Sequence, residues 1–258
     1  MSLTRIFAIG LRHYFLTIHH LERFADLFIF PVVGLIMFGF LANFVKVQSS
    51  GLAAFFLGGV ILWVIFERVG TAVGIDFMYE IWERNLVNIL ASPITTVEFV
   101  TSLVLISLTK VFISFSAMFL IALFFYQFNI FALGFSLVFF WVNLLLFAVS
   151  LGIFNIGIIT RWGHSAGPLT WVLPFAIQPL AAVFYPVSIL PEFVQKIAWF
   201  LPLSHVFQGM RYTFANGSFN SGEFLAAFGL NVVYFTFAVG FFSLMFKLSK
   251  KRGTLAKL

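Results

Sequence analysis

The chain has 258 residues, of which 62% are hydrophobic and 9% charged, with a net charge of +6. A water-soluble chain cannot hide that much apolar surface, so the composition excludes a soluble globular protein and points to lipid as the solvent. Cysteine is absent, which rules out disulfides, thiol catalysis and cysteine metal sites, and the basic residues gather at the edges of apolar runs rather than in the stripes of a nucleic-acid binder.

Residues 1–23 have the pattern of an amphipathic helix lying on the bilayer surface. Leu3, Ile6, Phe7, Leu11, Tyr14, Phe15, Ile18 and Leu21 fall on one face. Arg5, Arg12, His19, His20 and Arg23 fall opposite, with Ile9 and Leu16 as exceptions, and this basic side is expected to meet the headgroups. The segment is not the pattern of a cleavable signal.

Apolar runs follow at 25–45, 53–75, 98–126, 131–160, 168–188 and 224–248, each near the roughly 20 residues needed to cross hydrocarbon. The breaks are Lys46–Gly51, Asp76–Val97, Gln127–Asn129, Arg161–Gly167 and Pro191–Glu223. With both termini in the cytoplasm, that side holds Arg5, Arg12, Arg23, Arg84, Arg161, Lys247, Lys250, Lys251, Arg252 and Lys257. The outside then holds only Lys46, Lys196 and Arg211, the asymmetry that positive-inside sorting produces. The basic tail Lys250-Lys251-Arg252 suits anionic lipid.

Two segments are more than plain loops. Residues 76–97 are expected to form a short cytoplasmic helix, capped by Asp76 and ended by Pro93. Thr95, three before Glu98, then opens the next span with a capping box. Residues 187–223, outside in this topology, carry Ile189, Leu190, Phe193, Val194, Ile197, Trp199, Phe200 and Leu201. These are expected to dip into the membrane edge as short helices broken at Pro191 and Pro202, and to be buried against the spans.

These two segments carry a resemblance. From Leu190 the chain reads Leu-Pro, ten residues, Pro202-Leu203-Ser204-His205, five residues, Arg211. That resembles the signature of type-2 ABC exporter permeases, where it lies between spans five and six. Upstream, Arg84-Asn85-Leu86-Val87-Asn88-Ile89-Leu90-Ala91-Ser92-Pro93 is similar to that family's cytoplasmic segment between spans two and three. The resemblance covers nearly the whole chain as a single transmembrane domain, 1–258. It implies an all-α integral membrane fold: an N-terminal interface helix, six spans, and re-entrant helices between the fifth and sixth.

It also implies a division of labour. The chain has no Gly-x-x-x-x-Gly-Lys-Ser/Thr loop, so it is not expected to cradle ATP, and ATP and Mg are expected on a separate ATPase subunit. Two ATPases and two permeases, as a homodimer, would make the complex in a bacterial inner membrane. The coupling contacts are expected at Glu80, Glu83 and Arg84, with Trp82 as an apolar anchor. An external lid would be marked by Pro191, Pro202, His205 and Arg211. A hydrophobic or amphipathic cargo is expected from the resemblance: a drug, a lipid or a lipid-linked glycan.

Intramembrane ionisable residues are costly and invite a functional reading. Glu67 can pair with Lys110 on the neighbouring span; a structural bridge, or snorkelling of Arg68 and Lys110, are the alternatives. A secondary transporter or channel using Glu67, Arg68 and Lys110 is the competing function. Asn143, Asn155, Gln178 and Asn231 suit interhelical hydrogen bonds, and Pro174 and Pro179 would loosen span five near Gln178. The five histidines show no metal-ligand spacing, and Asn216-Gly217-Ser218 reads as a turn. Paired catalytic carboxylates and nucleophile triads are missing, so the chain is not expected to be an enzyme.

Overall fold

The computed structural model describes residues 1–46 and 50–257, and they form helices joined by turns, with no strand among them. In chain order these are α1 (Leu3–His19), α2 (Leu21–Lys46), α3 (Ser50–Trp82), α4 (Leu86–Ala91), α5 (Thr96–Tyr126), α6 (Ser136–Trp162), α7 (Leu169–Leu180), α8 (Glu192–Trp199), α9 (Pro202–Asn216) and α10 (Ser221–Lys251). Of the expected break at Lys46–Gly51, residues 47–49 lie outside the described residues.

Five helices, α2, α3, α5, α6 and α10, are long and apolar enough to cross a membrane. Their ends are chemically marked. Thr95 Oγ1 accepts from the Glu98 N–H (3.2 Å) while Glu98 Oε2 accepts from the Thr95 N–H (2.9 Å), the expected capping box. Asn220 caps α10 by accepting from the N–H groups of Gly222 and Glu223. Asn216-Gly217 forms the expected turn, with Gly217 in the left-handed region at φ +66°.

Two boundaries differ from the sequence reading. The fifth run, 168–188, is helical only as the 12-residue α7. At 1.5 Å per residue that gives about 18 Å, well short of the roughly 30 Å hydrocarbon core. Pro174 and Pro179 lie inside α7, and beyond Leu180 the chain continues as irregular backbone up to a single 3-10 turn at Val187–Ile189. The second difference is at Asp76, which does not cap a new helix. α3 runs unbroken through it to Trp82, because no Gly or Pro interrupts 75–82 and the Asp76 carboxylate finds its partners inside the bundle.

α3 and α6 form the centre. Leu62, Phe66 and Val69 of α3 and Leu144, Phe147 and Ala148 of α6 are buried together, with Phe207 and Met210 of α9 in the same core. The two central helices approach closely: a Cβ on Gly152 of α6 would lie 2.7 Å from Val73 Cβ of α3. Small residues at such crossings let backbones come near enough for dispersion contacts, which lipid cannot replace. α10 is tied to α6 by Asn231 Nδ2, which donates to Asn143 O (3.0 Å) and Oδ1 (2.9 Å), and by Ser249 Oγ, which donates to Thr160 O (2.8 Å). Asn231 and Asn143 are therefore the interhelical link that their place in the apolar runs suggests.

Candidate functional site

The turn after α3 is held by a clamp of basic residues. Arg12 of α1 donates to Glu80 and to Glu83, the latter at 3.1 Å. Arg23, at the start of α2, donates to the other Glu83 oxygen at 2.5 Å and lies 3.9 Å over the Tyr79 ring. His13 is fully buried, with Nε2 3.1 Å from Glu80 and Nδ1 3.9 Å from Asp76. Asn85 Nδ2 donates to the second Glu80 oxygen (2.8 Å). Arg5 donates to Pro93 O (2.5 Å) and lies 3.5 Å from Glu98, whose other oxygen accepts from Ser2 N (2.6 Å). α1 is thus stapled to both ends of the 83–95 turn.

This corrects the expected pose of α1. Its basic residues Arg5 and Arg12 face protein carboxylates rather than headgroups, and Arg23 is buried. Its apolar stripe, with Leu3, Phe7, Tyr14 and Ile18, is exposed. The reason is electrostatic: Glu80, Glu83 and Glu98 sit at helix ends in a mostly apolar chain, and a guanidinium is the partner that meets a carboxylate with directed hydrogen bonds.

The expected coupling residues divide. Glu80 is 1% exposed and held within the chain by Arg12, His13 and Asn85. Glu83 is part of the clamp. Trp82 (43% exposed) and Arg84 remain outward, and Val87 on α4 lies beside them on the surface. Arg84 takes φ +54°, the left-handed turn residue that lets α3 end and α4 begin. Trp82 also meets His164 of the α6–α7 turn, rings 5.8 Å apart.

The buried ion pairs are also not those expected. Lys110 does not pair with Glu67; its Nζ lies 2.7 and 2.9 Å from the two oxygens of Asp76. Glu67 lies 3.1 Å from Arg68 Nε, and Arg68 reaches Asp26 of α2 (2.7 Å). The cause is helical phase. Glu67 and Asp76 are about two and a half turns apart, so they project from opposite sides of α3, and only Asp76 points to α5.

A second constellation lies before α10. Pro191 precedes α8 and Pro202 is the first residue of α9, where a missing N–H costs nothing. His205 Nδ1 lies 2.7 Å from Glu223 of α10, and its Nε2 lies 3.0 Å from the Trp199 carbonyl at the end of α8. Both partners are acceptors, so the ring satisfies both only as the imidazolium. Burial pulls the His205 pKa down, but the hydrogen bonds it donates to Glu223 and Trp199 and the Glu223 charge outweigh it, and the pKa is raised.

Arg211 donates to the carbonyls of Ala182 and Tyr185, in the irregular stretch after α7. Burial lowers its pKa to about 10, which leaves it charged at neutral pH. The same stretch is fixed by Tyr185 Oη donating to Pro179 O (2.7 Å) and by Phe184, stacked between Phe38 and Phe56 with centroids 5.2 Å from each. Gln178 is half-buried on α7 just before it. One expectation fails here: Phe193 and Phe200 are 73% and 68% exposed, so α8 does not press its aromatic residues onto the spans. Ala198 is the α8 residue that is buried, since the helix rests on the bundle by its smallest side chain.

The sequence profile of the family described as ABC-2 type transporter matches residues 4–215, which run from α1 to α9 short of one residue at each end and hold both constellations apart from Ser2 and Glu223. The chain belongs to that family. No curated protein matches it. This ABC-2 chain is accordingly a multi-pass membrane protein and the membrane component of an ABC transporter, not itself catalytic. No group of His, Asp and Glu residues that could hold a metal occurs among its described residues.

Sequence reasoning missed several residues of the ABC-2 chain's two constellations. His13 and Glu223 were passed over, Asp76 was taken as a helix cap, and Arg12 and Arg23 were given to headgroups. The available signal was excess: a carboxylate-bearing stretch, Asp76 to Glu83, must find cations, and 5–23 carries three arginines.

Proposed function

We propose that this chain is the permease subunit of an ATP-driven exporter, coupled to a separate ABC ATPase through the turn at Trp82–Asn88. The observation that carries the reading is the mechanical continuity of α3. It passes unbroken through the bundle, ends at an outward Trp82 and Arg84, and is locked at that end to α1 and α2 by Arg12 and Arg23. A push on such a turn reaches the centre of the bundle without being absorbed by a flexible loop. Two permeases, as a homodimer, would sit over two ATPases, which would carry ATP and Mg.

In this reading α7, the irregular stretch after it and α8 complete a sixth crossing by a re-entrant path, with both termini in the cytoplasm of a bacterial cell. Irregular backbone at membrane depth needs protein partners, and Arg211 supplies them. The exposed apolar residues suit a hydrophobic or amphipathic cargo: a drug, a lipid or a lipid-linked glycan. Glu67, Arg68 and Lys110 all carry ion pairs, so an ion-coupled transporter gains no support.

The test uses the absence of native cysteine. Affinity-tagged protein carrying Arg84→Cys or Val87→Cys is expected to capture an ABC ATPase from its native membrane, with a thiol cross-link at either position. Leu225→Cys, on exposed α10, is expected to give none. Purification without any nucleotide-hydrolysing partner, or equal cross-linking from all three positions, would overturn the proposal.

A further inference from the structure

Between α1 and α5 runs an apolar slot of about 620 Å³, closed at one end by the start of α2. Its walls are two helical stripes, Phe7, Gly10 and Tyr14 on α1 facing Leu105, Thr109 and Ile113 on α5. Spacings of three and four residues keep each stripe on one face, so the slot follows the helices instead of forming a round cavity. From Ser102 to Ile113 it extends about 17 Å along α5.

The chemistry of the slot selects its occupant. Its volume falls in the roughly 300–1,000 Å³ range of ligand-sized sites. Its lining is overwhelmingly apolar, and apolar cavities do not hold water. The two ionisable side chains that reach it, His13 and Lys110, are committed to Glu80 and Asp76 and leave the slot without free charge. Phe7, Tyr14, Leu105 and Ile113 line the slot and are also exposed at 44–69%, so it opens sideways onto the surface that meets hydrocarbon. We propose that the slot binds one acyl chain of a bilayer phospholipid as a resident ligand.

The consequence concerns the clamp. α1 is pinned to α3 by its polar face and to α5 by buried Ile6 and Ile9, and the apolar face beside that contact rests on this lipid chain. Bilayer lipid thereby becomes part of what positions Arg12 and His13. The inference needs only that the chain lies in a membrane and does not depend on ATP coupling.

Gly10 makes the test clean. A Cβ there would meet nothing within 4 Å, so Gly10→Trp starts from an open position on the slot wall, puts a large side chain into the slot and raises helix propensity. Native mass spectrometry of wild-type protein in mild detergent is expected to show one phospholipid per protomer that survives delipidating washes, and Gly10→Trp is expected to lose it. A second measurement keeps the wild-type slot open. Bimane on Thr109→Cys is expected to be quenched by a chain-labelled nitroxide phospholipid, and to remain quenched after transfer to unlabelled micelles. Val233→Cys, on the exposed face of α10, is expected to recover at once. Equal lipid retention by wild type and Gly10→Trp, or simultaneous recovery at both labelled sites, would overturn the proposal.

Discussion

Lys110 and Asp76 form the ion pair that joins α5 to α3, with Nζ within 2.9 Å of both carboxylate oxygens and Asp76 1% exposed. Removing one partner leaves an uncompensated buried charge, whereas replacing both need not be costly. Asp76→Asn is expected to cost about 3 kcal/mol and to lower the thermal midpoint in detergent clearly. Asp76→Asn with Lys110→Met is expected to recover most of that loss. Glu67→Gln with Lys110→Met should instead be additive, since those residues belong to separate pairs. Size-exclusion chromatography after graded heating reads these three beside wild type and the Glu67→Gln and Lys110→Met single variants. Recovery in the Glu67 double variant and none in the Asp76 one would reverse the assignment.

His205 gives a pH dependence whose sign is fixed by its partners. α9 lies outside the five long spans, and the His205 pKa is raised because Glu223 and Trp199 together outweigh burial. A histidine with a raised folded pKa contributes stability that is complete below its ordinary value of about 6.5 and is lost as pH rises through the raised value. The wild-type thermal midpoint is expected to fall across that window. His205→Gln, whose amide still donates to Glu223, should flatten the profile there. An unchanged slope in His205→Gln would assign the titration to another group.

The long helices were legible in the sequence because each is a run of apolar residues bounded by charge, Pro or Gly, and composition alone reports that. The capping box at Thr95 and the turn at Asn216-Gly217 were legible because their chemistry is local. The ion pairs were not. Choosing Asp76 over Glu67 as the partner of Lys110 requires the phase of α3, and that phase was lost once Asp76 was taken as a cap. The orientation of α1 failed for a related reason: a helical wheel separates basic from apolar residues but does not say which face meets protein, and Glu80 and Glu83 decide that from some 70 residues away. At α7 the apolar run was real, but Pro179 and the Arg211 anchor turn its last third into irregular chain.

Ala182 offers a test of that irregular stretch. It is buried at φ +51°, a region that costs a residue with a Cβ about 1–2 kcal/mol. Ala182→Gly relieves the strain, while glycine adds freedom to the unfolded chain. The net expected effect is stabilisation by about 0.5 kcal/mol, provided that Arg211 still holds the carbonyls. Arg211→Gln should remove the hold and lower the thermal midpoint, and in that background Ala182→Gly should no longer help. A stabilising Ala182→Gly in both backgrounds would mean that Arg211 does not shape this backbone.

The clamp and the outward turn make separable contributions to coupling, and two substitutions divide them. Glu83 accepts from Arg12 and Arg23 together, so Glu83→Lys places a cation against two guanidiniums and should detach α1 from the end of α3. Trp82→Ala leaves those ion pairs intact and removes only exposed apolar surface. Neither residue should be needed for membrane insertion. With the ATPase present, each is expected to lower transport-coupled hydrolysis about tenfold, equivalent to about 1.4 kcal/mol, but by different routes. Trp82→Ala should weaken ATPase capture. Glu83→Lys should retain a part of that capture while losing transmission, and Arg23→Glu added to it should restore some activity by re-forming a pair of opposite sign, since the ion pair of Arg23 is with Glu83 alone. Normal coupling in both single variants would remove the α3 turn as the docking lever. Loss in Trp82→Ala alone would keep the turn but reduce the clamp to a packing contact, because the charge reversal at Glu83 would then have broken α1 away without consequence.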